Sequence, residues 1–181
     1  MALPATLRRF TIHLADADRA IYETLEWRVA QHPSESERYL VARVLARALE
    51  HAEGLEFSKG GVSDDEEPAL VHKDLRGDWL AWIEVGSPSP ERLHKATKLA
   101  PRVVVYAWKN VDQLAAAIAE REVHRRDAIE LEALPADLLD AIAATLDRNN
   151  TWDLSVTGGA FYLTIGDALF EGAATPVAVP G

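Results

Sequence analysis

With 181 residues, 48% of them apolar, the chain can bury a sizeable core; one domain over residues 1–171 with a mobile tail at 172–181 is the expectation. The absence of cysteine excludes disulfides, thiolate catalysis and thiolate zinc sites, and no apolar run reaches the length of a membrane span. The first residues lack the apolar stretch of a secretory signal, so a cytoplasmic protein is expected, and a formal net charge of −10 disfavours sequence-independent contact with nucleic acid without excluding a local basic groove.

Residues 7–15 alternate with Phe10, Ile12 and Leu14 on one side, and residues 21–29 alternate with Ile21, Leu25, Trp27 and Val29 inward. With a turn at 16–19 they read as an antiparallel hairpin with one wet face. A long helix follows to about Ala52. Ser34 is its expected N-cap, with Glu37 completing a capping box, and Leu40, Val41, Val44, Leu45, Ala48 and Leu49 form its buried stripe. Glu35 lies off that stripe near the positive helix end, where a carboxylate is favoured anyway.

Leu55–Phe57 reads as a short strand, and Asp64-Asp65-Glu66-Glu67 as a solvated acidic loop ended by Pro68. A strand is expected at 69–72. The run Trp79-Leu80-Ala81-Trp82-Ile83-Glu84-Val85-Gly86, closed by Ser87-Pro88, is a strand buried on both faces. A carboxylate has no place there without a partner, since an unpaired buried charge costs several kcal/mol. Glu84 therefore meets a cation, a metal ion or a rim of water, or else lies just beyond the buried part.

Ser89 and Pro90 open a helix to about Leu99, with Leu93, Ala96, Thr97 and Ala100 inward and Lys95 and Lys98 on the polar flank. Residues 102–108 form another buried strand. Asn110 caps a helix to about Arg121, a short strand follows at 128–131, and Pro135 begins a helix stopped by Asn149-Asn150. Residues 152–156 and 160–165 flank Thr157-Gly158-Gly159, a hairpin turn.

His32-Pro33-Ser34-Glu35, the acidic patch ending Glu66-Glu67-Pro68-Ala69-Leu70, Lys73-Asp74-Leu75 with Gly77, Trp82-Ile83-Glu84-Val85-Gly86 with Pro88, Arg92 and Lys95-Ala96, and Val103-Val104-Val105-Tyr106 occur in that order. The series resembles the bacterial YaeQ family over about residues 5–165. The resemblance implies an α/β fold: a mixed sheet in helix-strand-strand-strand-helix-strand order over residues 34–108, a variant of the PD-(D/E)XK nuclease core, with additional β-hairpins at both ends. It implies Mg²⁺ as cofactor. Glu84 becomes one ligand, Asp65 or Glu66 the other, Glu35 the assisting helix glutamate, and Lys95 the lysine beside the attacking water. The chain departs from the nuclease motif at Gly86, where that lysine would stand.

Under this reading two carboxylates suffice for an octahedral ion that keeps its waters, and the ion would lower the pKa of one of them. Arg92, Lys95, Lys98 and Arg102, with a second cluster of Arg121, His124, Arg125 and Arg126, are the cations available to receive nucleic acid. Salt-bridged helix ends are the alternative for the second cluster. The six histidines lack the i, i+4 pairing of a zincin, and no Gly-x-Ser-x-Gly elbow is present. Two functions stand: Mg²⁺-dependent hydrolysis of DNA or RNA, and a nuclease-like fold with weak or no catalysis serving as a binding or regulatory protein around transcription.

Overall fold

The computed structural model describes residues 3–59 and 66–181. In chain order the first elements are β1 (Thr6–Asp16), β2 (Ile21–Gln31), α1 (Glu37–Leu49), β3 (Leu55–Phe57), β4 (Leu70–Lys73), β5 (Trp79–Val85), α2 (Pro90–Leu99) and β6 (Val103–Ala107). They are followed by α3 (Val111–Glu120), β7 (Ile129–Ala133), α4 (Ala136–Ala143), β8 (Asn149–Thr157), β9 (Ala160–Ile165), β10 (Ala168–Ala173) and β11 (Thr175–Val177). Two compact units result: Met1–Leu49 with Pro135–Ala174, and Glu50–Leu134 with Thr175–Gly181.

The first unit is built on a five-stranded sheet in the order β10-β9-β8-β1-β2. The two sequence hairpins are not separate additions: β1 and β8 pair in parallel and make them one sheet. Period-two patterning explains its single buried face. Phe10, Ile12 and Leu14 of β1 and Asn150, Trp152, Leu154 and Val156 of β8 are buried, and their neighbours in sequence point away. Phe10 meets Trp152 edge to face at 5.3 Å. Because β1 and β8 run parallel, their following turns lie at the same end. There the Asp18 carboxylate accepts from the Gly158 and Gly159 N–H groups at 2.8 Å each, which holds its pKa below the usual aspartate range.

Several expectations about element ends are corrected. Helix α1 begins at Glu37, and Ser36, not Ser34, is its cap, accepting from Tyr39 N–H at 3.1 Å. Ser34 is diverted to the His32 ring, whose Nδ1 lies 2.6 Å from its hydroxyl. Asn110 stands at the start of α3 with left-handed backbone and makes no side-chain cap. Asn149 and Asn150 do not stop α4, which ends at Ala143; they open β8, where the buried Asn150 amide donates to Arg9 O and Asp147 O. The stretch from Gly172 carries the end of β10 and then β11, which pairs antiparallel with β7.

The second unit holds a six-stranded sheet, β11-β7-β6-β5-β4-β3. Strand β4 pairs antiparallel with both β3 and β5, and β5, β6 and β7 pair in parallel. Every residue of β6 is buried, as the continuous apolar run demands. Trp82, Val103, Val105 and Leu131 share one core cluster with Leu93 and Ala96 of α2 and Leu114 and Ile118 of α3. The order helix-strand-strand-strand-helix-strand occurs at residues 37–107.

Gly54, in the turn before β3, has φ +87°, and a Cβ there would run into the Lys73 carbonyl oxygen at the end of β4. Gly54→Ala therefore combines a left-handed penalty of about 1–2 kcal/mol with a backbone clash. The expected result is a fall in the urea midpoint larger than that penalty alone produces; Gly77→Ala, equally left-handed but in open space, serves as the reference.

Candidate functional site

The site grows from the end of β5. Trp82 and Glu84 sit two residues apart on one face of a buried strand, and Glu84 is 4% exposed. Ser89 caps α2 by accepting from Arg92 N–H, which orients the first turn of that helix. The Arg92 side chain then reaches Glu84, its Nε lying 2.5 Å from Oε1. The Trp82 indole N–H donates to the same oxygen at 2.7 Å, and Arg92 also lies over the Trp82 ring at 5.7 Å. The far side of the guanidinium donates to the Glu67 carbonyl at 2.6 Å, so one cation ties β5 to the segment just ahead of β4. Burial pushes the Glu84 carboxyl above the usual range, and Arg92 and Trp82 pull it back.

Among the alternatives open at Glu84, the partner found is therefore a cation of the chain itself. Lys95 lies one helical turn beyond Arg92, and its Nζ bonds Glu66 Oε2 at 2.8 Å, with the lysine half-buried and the glutamate exposed. The Glu67 carboxylate receives the Ser58 hydroxyl at 3.1 Å. Asp65, the other metal ligand considered, lies outside the described residues, while Glu66 is exposed and engaged with Lys95.

Glu35 belongs to the first unit. It is 6% exposed, and Arg43 clasps it with both ends of its fork, Nε to Oε1 and NH2 to Oε2, each at 3.0 Å. Arg43 also donates to Ala30 O at 3.0 Å, and Glu35 accepts from His32 N–H. Burial raises the Glu35 carboxyl despite Arg43. Dipole compensation at a helix end does not describe this residue: it is half of a buried ion pair joining β2, the turn and α1.

Of the cations proposed as an approach, Arg92, Lys95, Arg102, Arg121, Arg125 and Arg126 are engaged within the chain. Arg121 pairs with Glu91 at 2.7 Å, and Arg125 and Arg126 donate to the Pro101 and Ala119 carbonyls. Arg102 anchors a cluster on the second sheet that sequence reading missed. It bonds Glu50 at 2.7 Å and Glu130 at 2.6 Å, and Tyr106 donates its hydroxyl to Glu50 at 2.6 Å. Burial, then Glu50, drives the Tyr106 pKa well above its usual value; burial and the neighbouring Glu130 and Glu50 raise Glu132. The local pattern gave no warning: Glu130 and Glu132 alternate with apolar residues in β7 as on any strand with one wet face, and only the fold brings them near Glu50 and Arg102.

Mg²⁺ is a poor fit to the described residues. An ion on Glu84 would share a half-neutralised oxygen with a guanidinium, and a divalent cation about 4 Å from a unit positive charge is repelled by about 8 kcal/mol near a protein surface. Among the described residues no three His, Asp or Glu side chains are grouped to hold a metal.

The comparisons agree with this architecture. The family model described as "YaeQ protein" matches residues 1–173. The chain is 30% identical over 169 residues to the "Uncharacterized protein YaeQ" of Escherichia coli K12 and, over the same length, to that of Salmonella typhi, covering 91% of each chain. The crystal structure of YaeQ protein from Pseudomonas syringae superposes with a TM-score of 0.89 at 30% identity, covering 98% of both chains. That from Xanthomonas axonopodis pv. citri gives 0.88 at 29%, covering 97% of this chain and 99% of the other. With an ordered series of motifs, a family match over residues 1–173 and two superposed crystal structures in agreement, the chain belongs to the YaeQ family.

Proposed function

We propose that this protein has a PD-(D/E)XK nuclease-like core that works as a binding or regulatory protein, with nucleic acid as the expected partner and without Mg²⁺-dependent hydrolysis of its own. The observation that carries the reading is the Arg92 guanidinium on Glu84, the carboxylate the nuclease motif would give to the metal. Gly86 in place of the motif lysine and the Lys95–Glu66 pair support it further. The second reading, Mg²⁺-dependent phosphodiester hydrolysis, is favoured by one fact: Arg92 and Lys95, one turn apart on α2, gather Glu84, Glu66 and the Glu67 backbone around them.

Metal titration separates the two. With Mg²⁺ or Mn²⁺ added, the melting temperature of the parent and of Glu84→Gln should respond alike, and plasmid and single-stranded RNA should stay intact. A stabilisation of about 1.4 kcal/mol at tenfold excess over Kd that vanishes in Glu84→Gln, or metal-dependent cleavage lost in that variant, overturns the binding reading in favour of the nuclease.

A further inference from the structure

Arg9 and Arg28 stand directly opposite each other on β1 and β2, both exposed on the outer face of the first sheet. Like charges in that relation cost a few tenths of a kcal/mol to about 1 kcal/mol. Elsewhere the chain neutralises most of its arginines: Arg38, Arg43, Arg92 and Arg102 each hold a carboxylate. Among the described residues neither the Arg9 nor the Arg28 guanidinium has a hydrogen bond or ion pair. The two line a concavity of about 360 Å³ with Asn149, Thr11, Thr151 and Glu26. Asn149 flanks Arg9 on the β8 side, and Thr11 lies between Glu26 and Thr151 in the next outward row.

We infer that this concavity binds a ribose phosphate, the sugar-phosphate unit of a ribonucleotide. Two guanidinium forks side by side match the oxygens of one phosphate, where each can donate in parallel pairs. The Asn149 amide adds a donor at the same edge. Glu26 would repel a phosphate laid on it, but a carboxylate one row away is the acceptor that sugar hydroxyls need, with the Thr11 and Thr151 hydroxyls beside it. The volume lies at the low end of small-ligand sites, suited to one nucleotide rather than a large cofactor. The bound phosphate also removes the Arg9–Arg28 repulsion, so binding stabilises the sheet that forms the site.

This inference does not rest on the reading of Glu84, which the metal titration tests separately. Binding of inorganic phosphate, AMP, 2′-deoxy-AMP and a short single-stranded RNA is measured by calorimetry in the intact protein. AMP should bind more tightly than phosphate, and Arg9→Gln and Arg28→Gln should each weaken it by about tenfold or more, the worth of one charge-assisted bond. Neither variant should lower the melting temperature, because each relieves a like-charge pair. Glu26→Gln should erase the preference for AMP over 2′-deoxy-AMP. RNA binding as tight as AMP or tighter, with the same arginine dependence, identifies a strand as the source; AMP alone identifies a free nucleotide. Absence of binding by all four probes, or AMP binding unchanged in the Arg9→Gln/Arg28→Gln double variant, overturns the inference.

Discussion

Arg43→Met should destabilise the protein by about 3–5 kcal/mol, the cost of leaving one half of a buried ion pair without the other. The side chains are 4% and 0% exposed, and Arg43 donates to both carboxylate oxygens of Glu35 and to the Ala30 carbonyl. Methionine fills the volume of the stem, so the loss reports charge rather than a cavity. The loss should also depend on pH in a defined sense. Burial already holds the Glu35 carboxyl above its usual value, and removing Arg43 takes away the main force lowering it. A carboxyl raised in the folded state contributes stability that is full below its unfolded pKa and is lost as pH rises through the folded one. Urea unfolding of Arg43→Met should therefore show a smaller deficit at about pH 5 than at about pH 7.5. Glu35→Leu combined with Arg43→Met should recover much of the loss, since a packed apolar pair often equals a buried ionic one. A Glu35 that served catalysis instead would tolerate these changes in stability and fail in activity.

Arg92→Ala should come next in size, at about 3 kcal/mol, the lower end of the same range. Its side chain is 23% exposed against 5% for Glu84, so water reaches the cation more easily than the carboxylate. Removing Arg92 leaves Glu84 with the Trp82 indole alone and takes away the donor to the Glu67 carbonyl. Glu84→Gln should cost less, about 1–2 kcal/mol, because the amide oxygen still accepts from the indole and the guanidinium can turn to solvent. The order Arg92→Ala worse than Glu84→Gln, read from denaturant midpoints, is the result a structural ion pair produces. Glu84 is raised by burial, so by the same linkage the Arg92→Ala deficit should also shrink on acidification. A deficit that is equal at both pH values would show that Glu84 finds another cation when Arg92 is gone.

Local patterning carried most of the element reading. The alternation in β1 and β2, the apolar runs of β5 and β6, and Ser89-Pro90 ahead of α2 each encode a period or a cap within a few residues, and each appears where expected. The errors fall where two local options compete. Ser34 and Ser36 both suit a cap, and the His32 ring, four residues before Ser36, decides between them. Asn149-Asn150 suits a helix stop, yet the Asn150 amide is used to tie β8 to Arg9 across the sheet. At the site, sequence showed that Glu84 needed a partner because a buried carboxylate cannot stand alone. It could not rank Arg92 above a metal ion, since a side chain eight residues away reaches Glu84 only through the geometry of the β5–α2 turn.

The sequence by itself therefore determined which faces are apolar, where chain direction changes and which acidic residue is anomalous, all consequences of periodicity and of the cost of burying charge. Only the tertiary structure decided that β1 pairs in parallel with β8 some 140 residues later, that Glu35 is clasped by Arg43, and that Arg9 meets Arg28 on an exposed sheet. The physical reason is range. Propensity and patterning act over one turn or one strand, whereas strand register and ion pairing depend on segments whose contact is set by closing the whole chain.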